Sequence, residues 1–121
     1  MKIRSVKIPV EIIGGVHRAP DVEVQPDVTL VSWRIFEVSS EQWEGRTRHF
    51  CGYLLNDREG RCSTPIVEFD KNTMIGKTQS GRIYHLKGKS GHNMDALYVW
   101  STFFKINGMF DGLDISNEYD S

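Results

Sequence analysis

Cysteine is scarce in this chain: two residues, Cys51 and Cys62, in 121, with ten residues between them. A pair so spaced makes no disulfide framework, and it excludes a Cys-x-x-Cys redox or zinc motif. Excess charge is lacking too. Lys and Arg number 15 against 16 Asp and Glu, a net charge of −1. That balance runs against a general nucleic-acid coat, which needs clustered Lys and Arg. No apolar run approaches the roughly 18 residues of a membrane helix. The start Met1-Lys2-Ile3-Arg4 is basic, but Lys7, Pro9 and Glu11 interrupt the apolar stretch that a signal peptide requires. Internal repeats and low-complexity segments are missing as well. The expectation is a cytoplasmic protein that does not engage a membrane.

What is present suits one globular domain over residues 1–121. The composition is 39% hydrophobic and 26% charged, outside the range of disordered chains. A chain of this length buries about two thirds of its unfolded surface, enough for a core without metal or disulfide staples.

The strand signals come first. Val6, Ile8, Val10 and Ile12 alternate with polar residues and Pro9, the two-residue period of a half-buried strand. Pro9 lacks a ladder donor, which places this strand at a sheet edge. Residues 16–27 read as a surface connection with an extended piece around Val22 and Val24. Residues 28–38 read as a strand with Val31, Trp33 and Ile35 on one face and Val28, Leu30, Phe36 and Val38 on the other. Residues 39–45 fit a one-turn helix or a loop equally well. Residues 48–55 and 61–69 predict a hairpin turning at Asp57-Arg58-Glu59-Gly60, with the glycine in the left-handed region. A second hairpin follows at 75–79 and 82–87, around Ser80-Gly81, and a last strand over 109–115.

One segment has helical periodicity. From Met94 to Asn107, Ala96, Leu97, Trp100, Phe103 and Phe104 share a face, widened by Val99 and Ile106. Asn93 is the expected N-cap, Asp95 suits the first turn, and Gly108 the terminus. The fold class is therefore α+β: a mostly antiparallel, curled sheet of five to seven strands with one C-terminal helix packed on one face.

Some runs look familiar: Arg48-His49-Phe50-Cys51-Gly52-Tyr53, Ser63-Thr64-Pro65-Ile66-Val67-Glu68-Phe69-Asp70, Gly76-Lys77-Thr78-Gln79-Ser80-Gly81-Arg82-Ile83-Tyr84 and Asp95-Ala96-Leu97-Tyr98-Val99-Trp100. Over residues 48–108 the chain resembles small uncharacterised bacterial proteins carried on mobile DNA, such as integron gene cassettes. The resemblance implies a bacterial, cytoplasmic, accessory role. It carries over no catalytic residue, because the family has no assigned activity.

The candidate chemistry is sparse. In the expected hairpin register Cys62 faces Leu55 or Asn56, which leaves Cys51 roughly 14–17 Å away at strand rise. That is too far for a disulfide, so both cysteines are expected to be reduced, small apolar core residues. His49 shares a strand face with Cys51, and Glu68 is expected near His49 across the ladder. His49, Glu68 and Tyr84 are thus weak candidates for a small, metal-independent enzyme. The four histidines, His17, His49, His85 and His92, show no metal-ligand spacing, and no metal or cofactor is implied.

Residues 77–92 hold Lys77, Arg82, His85, Lys87, Lys89 and His92 with no acidic residue. Within them Lys87, Gly88, Lys89, Ser90 and Gly91 precede the helix and form a candidate site for a small anion. The P-loop pattern fails, since Ile83 stands where its first glycine belongs. A nucleic-acid contact through 77–92 ranks third, weakened by the overall charge and the acidic tail of Glu118 and Asp120.

One helix of about 14 residues, roughly 21 Å long, cannot cover both faces of such a sheet. The second face must either be enclosed by a curled sheet or be buried against a second copy. The leading reading is a binding module, expected to be a homodimer, with a pocket for a small molecule or protein partner. The small enzyme is the alternative.

Overall fold

The computed structural model describes residues 12–13 and 17–120. The strand expected from Val6 lies outside them, apart from its last position, Ile12. Among the described residues the fold is α+β, a mostly antiparallel curled sheet with a single helix. Seven strands have four or more residues: β3 (Asp27–Ser40), β4 (Thr47–Leu54), β5 (Glu59–Cys62), β6 (Ile66–Asp70), β7 (Ile75–Thr78), β8 (Ile83–Leu86) and β9 (Met109–Asp114). Two-residue strands β1 (Ile12–Ile13) and β2 (His17–Arg18) extend one edge. The order is β2-β1-β5-β4-β3-β8-β7-β6, with β9 also on β3. The extended piece of the first connection is β2; Val22 and Val24 lie in a turn. Residues 41–45 form a loop, not a helical turn.

β3 is the spine. Its first residues run parallel to β8, Asp27–Leu30 against Ile83–Leu86. Its second half pairs antiparallel with β4 on one side and β9 on the other. Between the halves Ser32 takes φ 47°, and pairing with β4 jumps from Val31↔Tyr53 to Arg34↔Cys51. One extra residue on β3 makes a bulge, which bends the strand and reverses the parity of its faces. Leu30, Trp33 and Ile35 therefore share one core. Strict alternation had put Leu30 opposite the other two.

The first hairpin differs from expectation by its turn. Arg58, not Gly60, takes the left-handed conformation, at φ 54°. Gly60 then lies within β5 opposite Tyr53, and Cys51 directly faces Cys62. The expected register, with the cysteines far apart, is thus overturned. β5 ends at Cys62, and Ser63-Thr64-Pro65 carries the chain to β6, which pairs with β7. The second hairpin forms as expected, with β7 against β8 and Gly81 at φ 93°.

Helix α1 (Met94–Ile106) starts where Asn93 Oδ1 accepts from the Ala96 amide at 3.0 Å. Gly108 follows its end at φ 58°. Ala96, Val99 and Phe103 are buried, while Ile106, expected to widen the apolar face, is exposed. The helix start rests directly on β5: a Cβ at Gly60 would lie 2.7 Å from the Ala96 Cα and the Asp95 carbonyl oxygen. Only glycine permits that approach.

Two cores result, one on each side of the β3–β4 layer. Under α1, Val38, Trp43, Cys51, Cys62 and Met109 pack with Ala96, Val99 and Phe103, and Phe36 stacks on Trp100 at 4.4 Å. On the other side Leu30, Trp33, Ile35 and Phe50 meet Tyr84, Leu86 and Phe69. Ring centroids of Phe50 lie 5.3 Å from both Phe69 and Tyr84. The chain encloses this second face by folding β6, β7 and β8 over it. Of the two coverings expected for it, enclosure by the chain's own sheet is the one these contacts supply.

Candidate functional site

The three residues considered for catalysis do not converge. His49 and Phe50 are neighbours on β4 and point to opposite faces. The His49 ring lies among Trp43, Trp100 and Phe103 under the helix. Tyr84 packs on Phe50 in the other core, so the sheet separates it from His49. Glu68 is exposed on β6, and its register partner is Lys77.

His49 is fully buried, and its hydrogen bonds identify its tautomer. Nδ1 lies 2.8 Å from the Ser63 carbonyl oxygen, which can only accept, so Nδ1 carries the proton. Nε2, 2.7 Å from Thr47 Oγ1, then accepts from that hydroxyl. Desolvation lowers its pKa from 6.5 to about 4, and the ring is neutral near pH 7. Among the described residues no group of three or more His, Cys, Asp or Glu could hold a metal ion.

The basic segment 77–92 is divided by the fold. Arg82 is buried, and its guanidinium donates to the Gln25 and Pro20 carbonyls, stapling the connection before β3. His85 faces Asp27 at 3.3 Å. Lys87 lines a cleft of about 510 Å³ with Asp27, Asn56, Asp57 and His85. Lys89 lines a different groove. Lys77 lines a third, beside Glu68 and Asp70.

The candidate anion loop is held along β3 across its bulge. The Lys87 amide donates to the Leu30 carbonyl at 2.9 Å, and the Gly91 amide to the Trp33 carbonyl at 3.1 Å. Trp33 Nε1 donates to the Gly88 carbonyl at 2.9 Å, and Gly88 takes φ 73°, which glycine accommodates without strain. The loop is therefore anchored at three points. α1 begins only at Met94, with Asn93 as its cap, so residues 88–91 precede the helix and supply none of its first-turn amides.

Ser90 projects two donors, and both meet the Asp120 carboxylate. Its amide lies 2.9 Å from Oδ1 and its hydroxyl 2.5 Å from Oδ2. These bonds, with weaker attraction from Arg34 and Lys89, hold the Asp120 pKa below its ordinary value. Beside them runs a groove of about 550 Å³ lined by Trp33, Lys71, Met74, Lys89, Tyr119 and Asp120. The Lys71 ammonium lies 6.0 Å from the Tyr119 ring centroid and the Arg48 guanidinium 5.9 Å. Arg48 also donates to the Tyr119 hydroxyl.

Gly88, Lys89 and Ser90 were legible in the sequence. Lys71, Trp33, Tyr119 and Asp120 were not, because the β6–β7 turn and the tail reach the loop only in three dimensions. The acidic tail was the available signal, and it reads as solvated until Ser90 is seen beneath it.

Compared with known proteins, the chain matches no family model, no curated protein and no solved structure.

Proposed function

We propose that the chain is a non-enzymatic binding module that takes a small anionic molecule in the groove between the β6–β7 turn and the loop 87–91. The observation that carries this reading is the Asp120 carboxylate on both Ser90 donors. That loop already binds an anion, one from its own chain. An incoming carboxylate or phosphate would find the same two donors, the Lys71 and Lys89 ammonium groups and the flat face of Tyr119. A bacterial, cytoplasmic, accessory role of the kind found on mobile DNA belongs to the same proposal and rests on the sequence resemblance.

Differential scanning calorimetry with millimolar inorganic phosphate tests it. A ligand that binds only the folded state adds stability by mass action, about 2.7 kcal/mol at a hundredfold excess over Kd. The parent protein should gain stability, and Asp120→Asn should gain more, because the competing internal charge is gone. The double substitution Lys71→Ala and Lys89→Ala should remove the gain. If neither the parent nor Asp120→Asn responds to phosphate, the reading fails.

The separation of His49 from Tyr84 by the sheet weighs against the enzyme alternative, and the division of the basic segment weighs against nucleic acid. The homodimer is retained on a different surface from the one first expected. Phe110 and Leu113 on β9, with Ile106 at the end of α1, are about half exposed, and among the described residues β9 pairs only with β3. An open strand edge with apolar side chains is a natural place for a second copy.

A further inference from the structure

The thiol pair in the helix-side core carries a function that the binding groove does not use. We propose that Cys51 and Cys62 form a reversible oxidation site that closes to an intrachain disulfide under a small peroxide. The two residues are directly opposed on β4 and β5. Directly opposed residues of antiparallel strands have Cα atoms about 4.5–5.5 Å apart, inside the roughly 4.4–6.8 Å that a disulfide spans. The sulfurs lie 3.2 Å apart, both fully buried and in the thiol form. Closing to the bond length of about 2.05 Å requires side-chain rotation and no change of register.

The hydrogen bonds order the chemistry. Cys62 donates to the Cys51 sulfur, and Cys51 donates to the Ala96 carbonyl at 3.2 Å, in the first turn of α1. When Cys51 loses its proton, the Cys62 thiol already points at the resulting thiolate. The Cys51 thiolate attacks one peroxide oxygen and the O–O bond breaks. Cys51 becomes a sulfenic acid, and the departing oxygen takes up the thiol proton to leave as water. Cys62, deprotonated, then attacks the Cys51 sulfur and displaces the sulfenic oxygen as a second water. Two thiols and one hydrogen peroxide give one disulfide and two waters. Closure withdraws the Cys51 donor from Ala96, so the redox state is registered at the start of the helix.

Access sets the selectivity. Gly60 brings the first helical turn directly onto β5 beside the pair, so lifting that turn opens a path for a reagent. A small peroxide should react, and a bulky aromatic disulfide should not. Asn93 caps the same turn, and Asn93→Ala should speed oxidation about fivefold by easing local opening.

The decisive measurement uses the parent protein, treated with hydrogen peroxide, denatured in an alkylating reagent and weighed intact. The expected result is a loss of about 2 Da, the two thiol hydrogens, with no alkyl group added. Peptide mapping should yield a Cys51–Cys62 crosslink, and dithiothreitol should restore two alkylatable thiols. Cys62→Ser should stop at a sulfenic acid on Cys51 that a cyclic diketone traps. Two alkyl groups after peroxide treatment, oxygen adducts without a crosslink, or crosslinks only between chains would each overturn the proposal. The parent measurement stands even if the variant fails to fold.

Discussion

His49 shows how a residue that reads as chemistry in a sequence becomes structure in a fold. Its ring is enclosed by Trp43, Trp100 and Phe103, donates to one buried carbonyl and accepts from one hydroxyl. Burial strips water from the charged form of the ring, and the bond to the Ser63 carbonyl offsets that only in part, which is why its pKa falls to about 4. The unfolded imidazole binds a proton near pH 6.5, and the folded one does not until about pH 4. Stability should therefore fall as pH drops between those values, by roughly 3 kcal/mol in all. Urea unfolding at several pH values measures the slope, and His49→Gln should flatten it. A slope unchanged in the variant would show that another group is responsible. Glu37 acts in a lower window: Arg46 and Arg48 bond its carboxylate and lower its pKa from 4.5. Its contribution is present above that value and is lost as pH falls through the lowered pKa.

At the scale of elements, α1 and the second hairpin were legible because their signals are local. Asn93, Asp95, the apolar period and Gly108 all act within a few residues of the helix they define. β3 and the first hairpin were misread for the converse reason. A bulge at Ser32 and a left-handed Arg58 carry no strong residue signature, yet the bulge moves every later partner of β3 by one position and the turn moves the partner of Cys62 from Leu55 or Asn56 to Cys51. By sequence Gly60 reads as a turn residue, because glycine is common in turns. Its actual requirement is the helix above it, a contact between residues about 35 positions apart in sequence. Gly60→Ala should destabilise by about 1–3 kcal/mol, towards the upper figure because the obstructing atoms are backbone. Thermal unfolding decides this, and an unchanged midpoint would mean that α1 does not sit so closely on β5.

At the scale of the molecule, the enclosed second core changes what self-association has to explain. Leu30, Trp33, Ile35 and Phe50 are covered by the chain's own β6–β8 layer, so a dimer no longer has that face to bury, and the surface proposed for it is the exposed Phe110 and Leu113 on β9. Sedimentation equilibrium at micromolar concentration should give twice the 13.9 kDa of one chain if Phe110 and Leu113 form an interface. The paired substitution Phe110→Ser and Leu113→Ser should then return it to one. A parent mass of one chain at every concentration would remove the dimer and leave the groove reading untouched. The amino-acid sequence by itself determined the α+β class, the helix with its caps, the second hairpin and the glycine- and lysine-containing loop. Each depends on periodicity or on backbone preferences of adjacent residues. Tertiary structure decided the opposition of the two thiols, the burial of His49 and the meeting of Ser90 with Asp120. Those depend on where a bulge or a turn falls and on which distant segments the sheet then brings together, and neither is written in the period of the chain.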